Sequence, residues 1–205
     1  MQCFDTIAKG YDTNRRITRA AAIADKIRSR VDLSKKATAL EFGCGTGLTG
    51  LQLAGCFKSL LLVDSSVEMV KQVEQKITDA NCSHVSALCF DILEGTPHNL
   101  RVDYVFSSLV LHHIMDTSRA LRCFYDMLNS GGRLLVVDVD KENGSFHAKY
   151  PGFVGHNGFM HDELICLAAD AGFINITAET FYHDVKEFDG KVNPYSLFIL
   201  DAAKN

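Results

Sequence analysis

Three glycines, Gly43, Gly45 and Gly47, alternate with Cys44 and Thr46 directly after the apolar run 37–42. A buried strand leading into so many side-chain-free positions must turn sharply, and the turn leaves backbone N–H groups bare on one side. A helix starting at Leu48 would complete a strand–turn–helix unit, the opening move of an open α/β sheet with a flat polar ligand over the turn. The same loop also spells G-x-G-x-x-G over 45–50, the dinucleotide fingerprint. In a dinucleotide site the strand ends at the first glycine of that pattern, whereas here Glu41, Gly43 and Cys44 come between. The competing reading is a tight turn that binds nothing.

The rest of the chain continues the alternation. Apolar runs at 60–63, 85–90, 102–106 and 133–137 read as short strands buried on both faces, and the amphipathic segments between them read as helices. Residues 14–30 carry Ile17, Ala20, Ala21, Ala24 and Ile27 at helical spacing. Ser65 or Ser66 is placed to cap a helix through Ile77, and Asp116 or Thr117 to start one through Leu128 that Gly131-Gly132 breaks. Residues 139–161 are rich in Gly, His and Phe without a period. A helix at 161–171, a strand at 174–180 and a last strand at 195–200 close the chain, the final pair as a hairpin. Asn193-Pro194-Tyr195 reads as a turn. The expected fold is a Rossmann-like, doubly wound α/β sheet of seven strands, mostly parallel with the last strand antiparallel. Residues 1–205 are expected to form one domain, with 1–30 as a helical lid and 139–161 as a substrate-side insertion.

In such sheets the ligand lies beyond the carboxyl ends of the strands. The strand ends here are Glu41, Asp64, Asp91, Ser107 and Asp138. Adjacent carboxylates repel, so they need a partner. A carboxylate at Glu41 would repel a phosphate and attract an ammonium, which favours S-adenosylmethionine over a dinucleotide. Asp64 would accept from two ribose hydroxyls. Asp91 would meet the adenine amino group, with Ile92 and Met69 against the ring. Each acid has a bland alternative, helix capping for Asp64 and a turn for Asp91.

Glu41-x-Gly43-x-Gly45-x-Gly47, Asp64 and Asp91 in this order resemble the class I S-adenosylmethionine-dependent methyltransferases. Leu109-Val110-Leu111-His112-His113-Ile114, the box Phe4-Asp5-x-x-Ala8-x-x-Tyr11-Asp12, and Leu128-x-x-Gly131-Gly132-x-Leu134 are similar to the small-molecule branch related to quinone-biosynthesis enzymes. The resemblance implies that Tyr11 folds over the cofactor and that S-adenosylhomocysteine is the product. The cofactor set is then Tyr11, Glu41, Gly43, Cys44, Gly45, Asp64, Ser65, Met69, Asp91, Ile92 and Ser107. His112 is the candidate to act on the acceptor. Asp138, Phe146, His147, His156 and Phe159 are expected to line the acceptor pocket, whose aromatic and histidine content suits a planar or weakly polar molecule.

Composition narrows the alternatives. The net charge of -4 with no basic run gives no electrostatic grip on nucleic acid, and no stretch reaches the roughly 18 apolar residues of a membrane span. Seven cysteines without a C-x-x-C suit reduced thiols in a cytoplasmic protein. The histidines lack H-x-x-x-H spacing, so no metal is expected. The expected activity is methyl transfer to a small-molecule acceptor by a monomer or homodimer. A non-catalytic S-adenosylmethionine-binding scaffold or sensor is the second reading, and an NAD(P)-dependent oxidoreductase the third.

Overall fold

Strands that are apolar on both faces can only be satisfied between two layers of helix. The computed structural model, which describes residues 8, 10–91, 94–95, 100–150 and 152–205, has that arrangement. The helices are α1 (Asn14–Arg28), α2 (Gly50–Leu53), α3 (Val67–Asp79), α4 (Thr117–Met127) and α5 (His161–Asp170). The strands are β1 (Thr38–Phe42), β2 (Ser59–Asp64), β3 (Val85–Cys89), β4 (Val102–Ser108), β5 (Leu128–Val139), β6 (Ile174–Phe188) and β7 (Lys191–Ala203). They form one sheet in the order β3-β2-β1-β4-β5-β7-β6. The first five strands are parallel, and β7 runs antiparallel to both β5 and β6.

Each face of the sheet has its own core. On one side Ile23, Ala24 and Ile27 of α1 pack with Leu53, Phe57, Leu62 and Phe106. On the other, Leu121, Phe124 and Met127 of α4 and Leu164 of α5 pack with Leu40, Val105, Val136 and Phe198. Ser66 caps α3 by accepting from the Met69 N–H, and Asp116 caps α4 by accepting from the Arg119 N–H, each satisfying a helix N-terminal donor.

The late hairpin is longer than the expected strands at 174–180 and 195–200. Asp189 and Gly190 both have positive φ, 51° and 69°, the two-residue turn that suits strand twist. Phe188 and Lys191 pair directly beside it. Pro194 lies inside β7 opposite Val185, so Asn193-Pro194-Tyr195 is strand and not turn. β5 meets β7 only from Leu197 onward, so the missing N–H of Pro194 breaks no ladder with β5. The extended hairpin reaches past the sheet towards α1, where Arg15 pairs with Asp184 and Lys26 with Glu179.

Candidate active site

The turn after β1 behaves as its glycines require. Gly43, Gly45 and Gly47 all have positive φ, 68°, 53° and 77°, conformations open to glycine at little cost. A Cβ at Gly43 would stand 2.5 Å from a Val110 methyl, so this glycine also lets the loop after β4 close against the turn. Asp64, at the end of β2, braces the turn. Its carboxylate accepts from the Gly45 N–H at 2.8 Å and the Ser66 N–H at 2.9 Å.

The segment before α1 is pinned onto the same turn. Asp12 accepts from the Thr46 hydroxyl and pairs with Lys76 Nζ at 2.6 Å, while Lys76 also donates to the Thr46 carbonyl. Tyr11 thereby faces Gly45, with the Arg16 guanidinium 4.0 Å above its ring. Burial raises the Tyr11 pKa, so the phenol stays neutral.

A cavity of about 570 Å³ lies over the carboxyl ends of β1 to β4, lined among others by Gly43, Gly45, Asp64, Met69, Asp91 and Tyr11. Cys44 and Ser65 also reach it. Of the remaining expected cofactor residues, Ser107 and Glu41 do not line it. Ile92 lies outside the described residues. Ser107 is fully buried with an unpartnered Oγ among the described residues, and its neighbour Ser108 faces the cavity instead. Alternation along β4 explains the swap.

Glu41 is the second. It is fully buried, on the β1 face that packs beneath Gly50, where a Cβ would stand 2.2 Å from Oε2. Burial pushes its pKa up to about 8, against the smaller opposing pull of the Gly50 amide and the Ser108 hydroxyl. Oε2 has no bonded partner among the described residues by strict geometry. At neutral pH Glu41 is mostly a neutral acid, so it supplies no charge for an ammonium.

A second cavity of about 310 Å³ adjoins the first. The two share Tyr11, Arg16, Arg19, Leu109, His113 and Tyr150. Leu109 has φ 59°, a costly backbone state for a leucine, and it stands between them. The second cavity takes Phe146, His147 and His112 from the expected acceptor set. Asp138 stays behind His112, fully buried, with Oδ1 2.5 Å from Nδ1 and Oδ2 accepting from the His112 N–H. His156 does not reach it, because its Nε2 bonds the Ile114 carbonyl and the Thr117 hydroxyl. Phe159 packs in the core near Phe198.

Cations from elsewhere complete this wall: Arg15, Arg16 and Arg19 on α1, Lys149, and Lys186 on β6. Lys186 lies over the Phe146 ring, 3.1 Å from its centroid. Burial first, then repulsion from Arg19, Arg15 and Arg16, lowers its pKa to about 7. Burial and the neighbouring imidazoles also lower His113 to about 4 and His147 to about 3, leaving both rings neutral.

A Rossmann-like sheet with a glycine turn, an acid after β2 and another after β3, and a cavity above them defines a nucleoside-cofactor domain of the S-adenosylmethionine type. The cavity fits that group: bare turn amides, two carboxylates for hydroxyl or amino groups, and Met69 and Phe90 as apolar walls. Comparison with known proteins makes this specific. Residues 40–134 match the family model described as a methyltransferase domain. An uncharacterised methyltransferase of Schizosaccharomyces pombe is 30% identical over 152 residues, covering 66% of this chain and 53% of that protein. Phosphoethanolamine N-methyltransferase 2 of Caenorhabditis elegans is 26% identical over 182 residues, covering 87% of this chain and 40% of that one. This chain thus spans about half the length, or less, of these two relatives.

Among solved structures, the Haemonchus contortus phosphoethanolamine N-methyltransferase 2, in complex with phosphomonomethylethanolamine and S-adenosylhomocysteine, superposes with TM-score 0.73 at 18% identity, over 88% of this chain and 52% of that one. An S-adenosylmethionine-dependent methyltransferase from Aquifex aeolicus gives 0.71 at 18% over 98% of both chains. Residues 40–134 thus match a methyltransferase domain, and the fold over most of the chain is that of S-adenosylmethionine-dependent methyltransferases. The comparisons do not single out the quinone-biosynthesis branch.

Proposed function

We propose that this chain transfers the methyl group of S-adenosylmethionine to a small molecule bearing an anionic group, held in the 310 Å³ cavity. The observation that carries this reading is the shared wall. A cofactor-sized cavity over the strand ends opens beside a smaller one rimmed by Arg15, Arg16, Arg19, Lys149 and Lys186. Five basic side chains face Glu187 as the one carboxylate lining that wall among the described residues, and Arg15 is partly offset by Asp184 at 2.9 Å. Like charges gathered at a partly dry surface repel unless an anion joins them. Burial first, and then this repulsion, depresses the Lys186 pKa. Sequence reasoning favoured a weakly polar acceptor because it saw only the aromatic and histidine residues of 139–161. Phosphoethanolamine, the substrate named for two of the similar proteins, has the required charge.

S-adenosylmethionine supplies an electrophilic methyl on a sulfonium. The chain's part is to align acceptor, methyl and sulfur and to exclude water. Asp64 and Asp91 hold the nucleoside, Tyr11 and Arg16 cover the glycine turn, and the 139–150 segment roofs the acceptor side. His112, held by Asp138, is the residue assigned to act on the acceptor. The N-terminal segment with α1 serves as the lid.

The test is S-adenosylhomocysteine release by the purified chain with a panel of phosphorylated amines, small carboxylic acids and their neutral counterparts. Turnover confined to anionic acceptors, with KM raised in Arg19→Ala, supports the reading. Turnover of neutral acceptors unaffected by Arg19→Ala would refute the charge argument, and cofactor binding without turnover would favour the scaffold reading.

A further inference from the structure

His112 and His113 lie on the single 3-10 turn Leu111–His113 after β4. His147 ends a second such turn, Ser145–His147, some thirty-five residues on. The fold brings the three rings together. Their centroids are 4.2 Å apart for His112 and His113, 5.0 Å for His112 and His147, and 5.5 Å for His113 and His147. One ring nitrogen from each lies within 4.8 Å of those of the other two.

Two of these rings carry nitrogens that nothing among the described residues satisfies, His112 Nε2 and His147 Nδ1, both buried. Buried polar atoms without partners are uncommon and costly. For His112 the reason is built in. Asp138 Oδ1 sits 2.5 Å from Nδ1, so the carboxylate engages that nitrogen and leaves Nε2 as the one available to a ligand. A carboxylate behind an imidazole is the outer-shell device that orients metal-binding histidines and raises their basicity. Asp138 is itself fixed by the Val139 and His112 N–H groups.

We propose that His112, His113 and His147 bind a divalent transition-metal cation, zinc in the first instance, with Asp138 as the outer carboxylate. Three imidazole ligands without an inner carboxylate suit zinc, cobalt or nickel and not magnesium or calcium. Around zinc at about 2.0–2.1 Å, tetrahedral nitrogens stand roughly 3.3 Å apart, so side-chain rotation must draw the present cluster in by on the order of 1 Å. Three protein ligands leave one position open, the arrangement of catalytic zinc. All three histidines line the acceptor cavity, and His113 also faces the cofactor cavity, so that position lies where the acceptor must sit.

The chemical role rests on the function proposed above. Where the acceptor presents a hydroxyl or thiol, that group bound there would lose its proton to solvent because the cation lowers its pKa, and His112 would then act on the acceptor through the cation and not directly. Its lone pair would then form the bond to the methyl carbon as the carbon–sulfur bond breaks, and that electron pair returns to sulfur. The cation and Asp138 carry opposite charges, and the acceptor's anionic group offsets the nearby lysine and arginines.

The experiment uses the untagged full chain stripped with a chelator, then titrated with Zn²⁺ by calorimetry and with Co²⁺ by visible absorption. The expected result is one ion per chain at micromolar affinity or tighter, with the d–d bands of a tetrahedral nitrogen site. His112→Ala and His147→Ala should each weaken binding at least a hundredfold, and Asp138→Asn about ten- to a hundredfold. His161→Ala, whose ring pairs with Asp140 away from the cluster, should leave it unchanged. S-adenosylmethionine binding by each variant reports an intact fold. The Co²⁺ spectrum of the unmodified chain decides the matter should a variant fail to fold. Absence of stoichiometric uptake, or uptake indifferent to both alanine variants, overturns the metal site and leaves the methyltransferase reading standing. Uptake by a chain that shows no methyl transfer would support the site while that reading fails.

Discussion

Glu41→Gln should stabilise the folded chain at neutral pH, and more so as the pH rises. Glu41 is fully buried against Gly50, and burial lifts its pKa from 4.5 to about 8. Below pH 4.5 the carboxyl is protonated in both folded and unfolded chains and costs nothing. Between 4.5 and 8 the unfolded chain has released the proton while the folded one keeps it, so stability falls as pH rises and levels off above 8. At about 1.36 kcal/mol per pH unit, the gap between 4.5 and about 8 caps the loss at roughly 5 kcal/mol. Between pH 6 and pH 8 the loss is about 2 kcal/mol. Glutamine has the shape of the neutral acid and no proton to lose. Urea unfolding of both proteins at pH 6, 7 and 8, in low and high salt, measures the difference directly. The variant's advantage should grow by about 2 kcal/mol across that range. A difference independent of pH would refute the assignment of a neutral carboxyl beneath the glycine turn.

Other perturbations probe the cofactor and acceptor sides separately. Asp64→Ala removes the acceptor of the Gly45 and Ser66 N–H groups, each bond worth about 1.5–3 kcal/mol. S-adenosylmethionine affinity by calorimetry should collapse, with partial recovery in Asp64→Asn, and an unchanged Kd would make Asp64 a helix cap only. Asp12→Ala frees the segment carrying Tyr11 from Thr46 and Lys76, and should weaken cofactor binding by about 1–2 kcal/mol with little change in melting temperature; equal loss of both would make the contact a fold brace. Lys186, with a pKa of about 7, must be protonated to hold an anion. Phosphoethanolamine affinity should therefore fall as pH rises above 7, by up to about tenfold per unit, and Lys186→Arg should flatten the profile. A flat profile in the unmodified chain would remove Lys186 from the acceptor site.

The sheet was legible because its strands are short apolar runs, and parallel pairing forces their carboxyl ends to one edge. That is why Asp64 and Asp91, 27 positions apart in sequence, could be grouped before any coordinates. Glu41 was misjudged because a strand end specifies an edge but not a face. The residue points beneath the turn, and its ionisation is set by the packing of Gly50. The basic wall was not legible. Arg15, Arg16 and Arg19 fall on the polar side of an amphipathic helix and read as solvated. Lys186 sits in a strand that was expected to have ended at 180. Their meeting depends on how far the hairpin projects, which two positive-φ residues at 189 and 190 decide. His112 and His147 were grouped at the acceptor pocket, but not as ligands with His113, because local spacing finds ligands on one helix and not on two turns separated by a helix and a strand.

Tyr11, Arg16, Arg19, Leu109, His113 and Tyr150 belong to both cavities. A molecule in either one therefore sets the positions of side chains that wall the other, and the two binding equilibria cannot be independent. If the donor tightens the acceptor's hold by some factor, the acceptor must tighten the donor's by the same factor. The segment carrying Tyr11 is held by the Asp12 contacts to Thr46 and Lys76, and, if it acts as the proposed lid, both ligands would draw on its position. Saturating one ligand should change the apparent affinity for the other by the same factor in either order of addition.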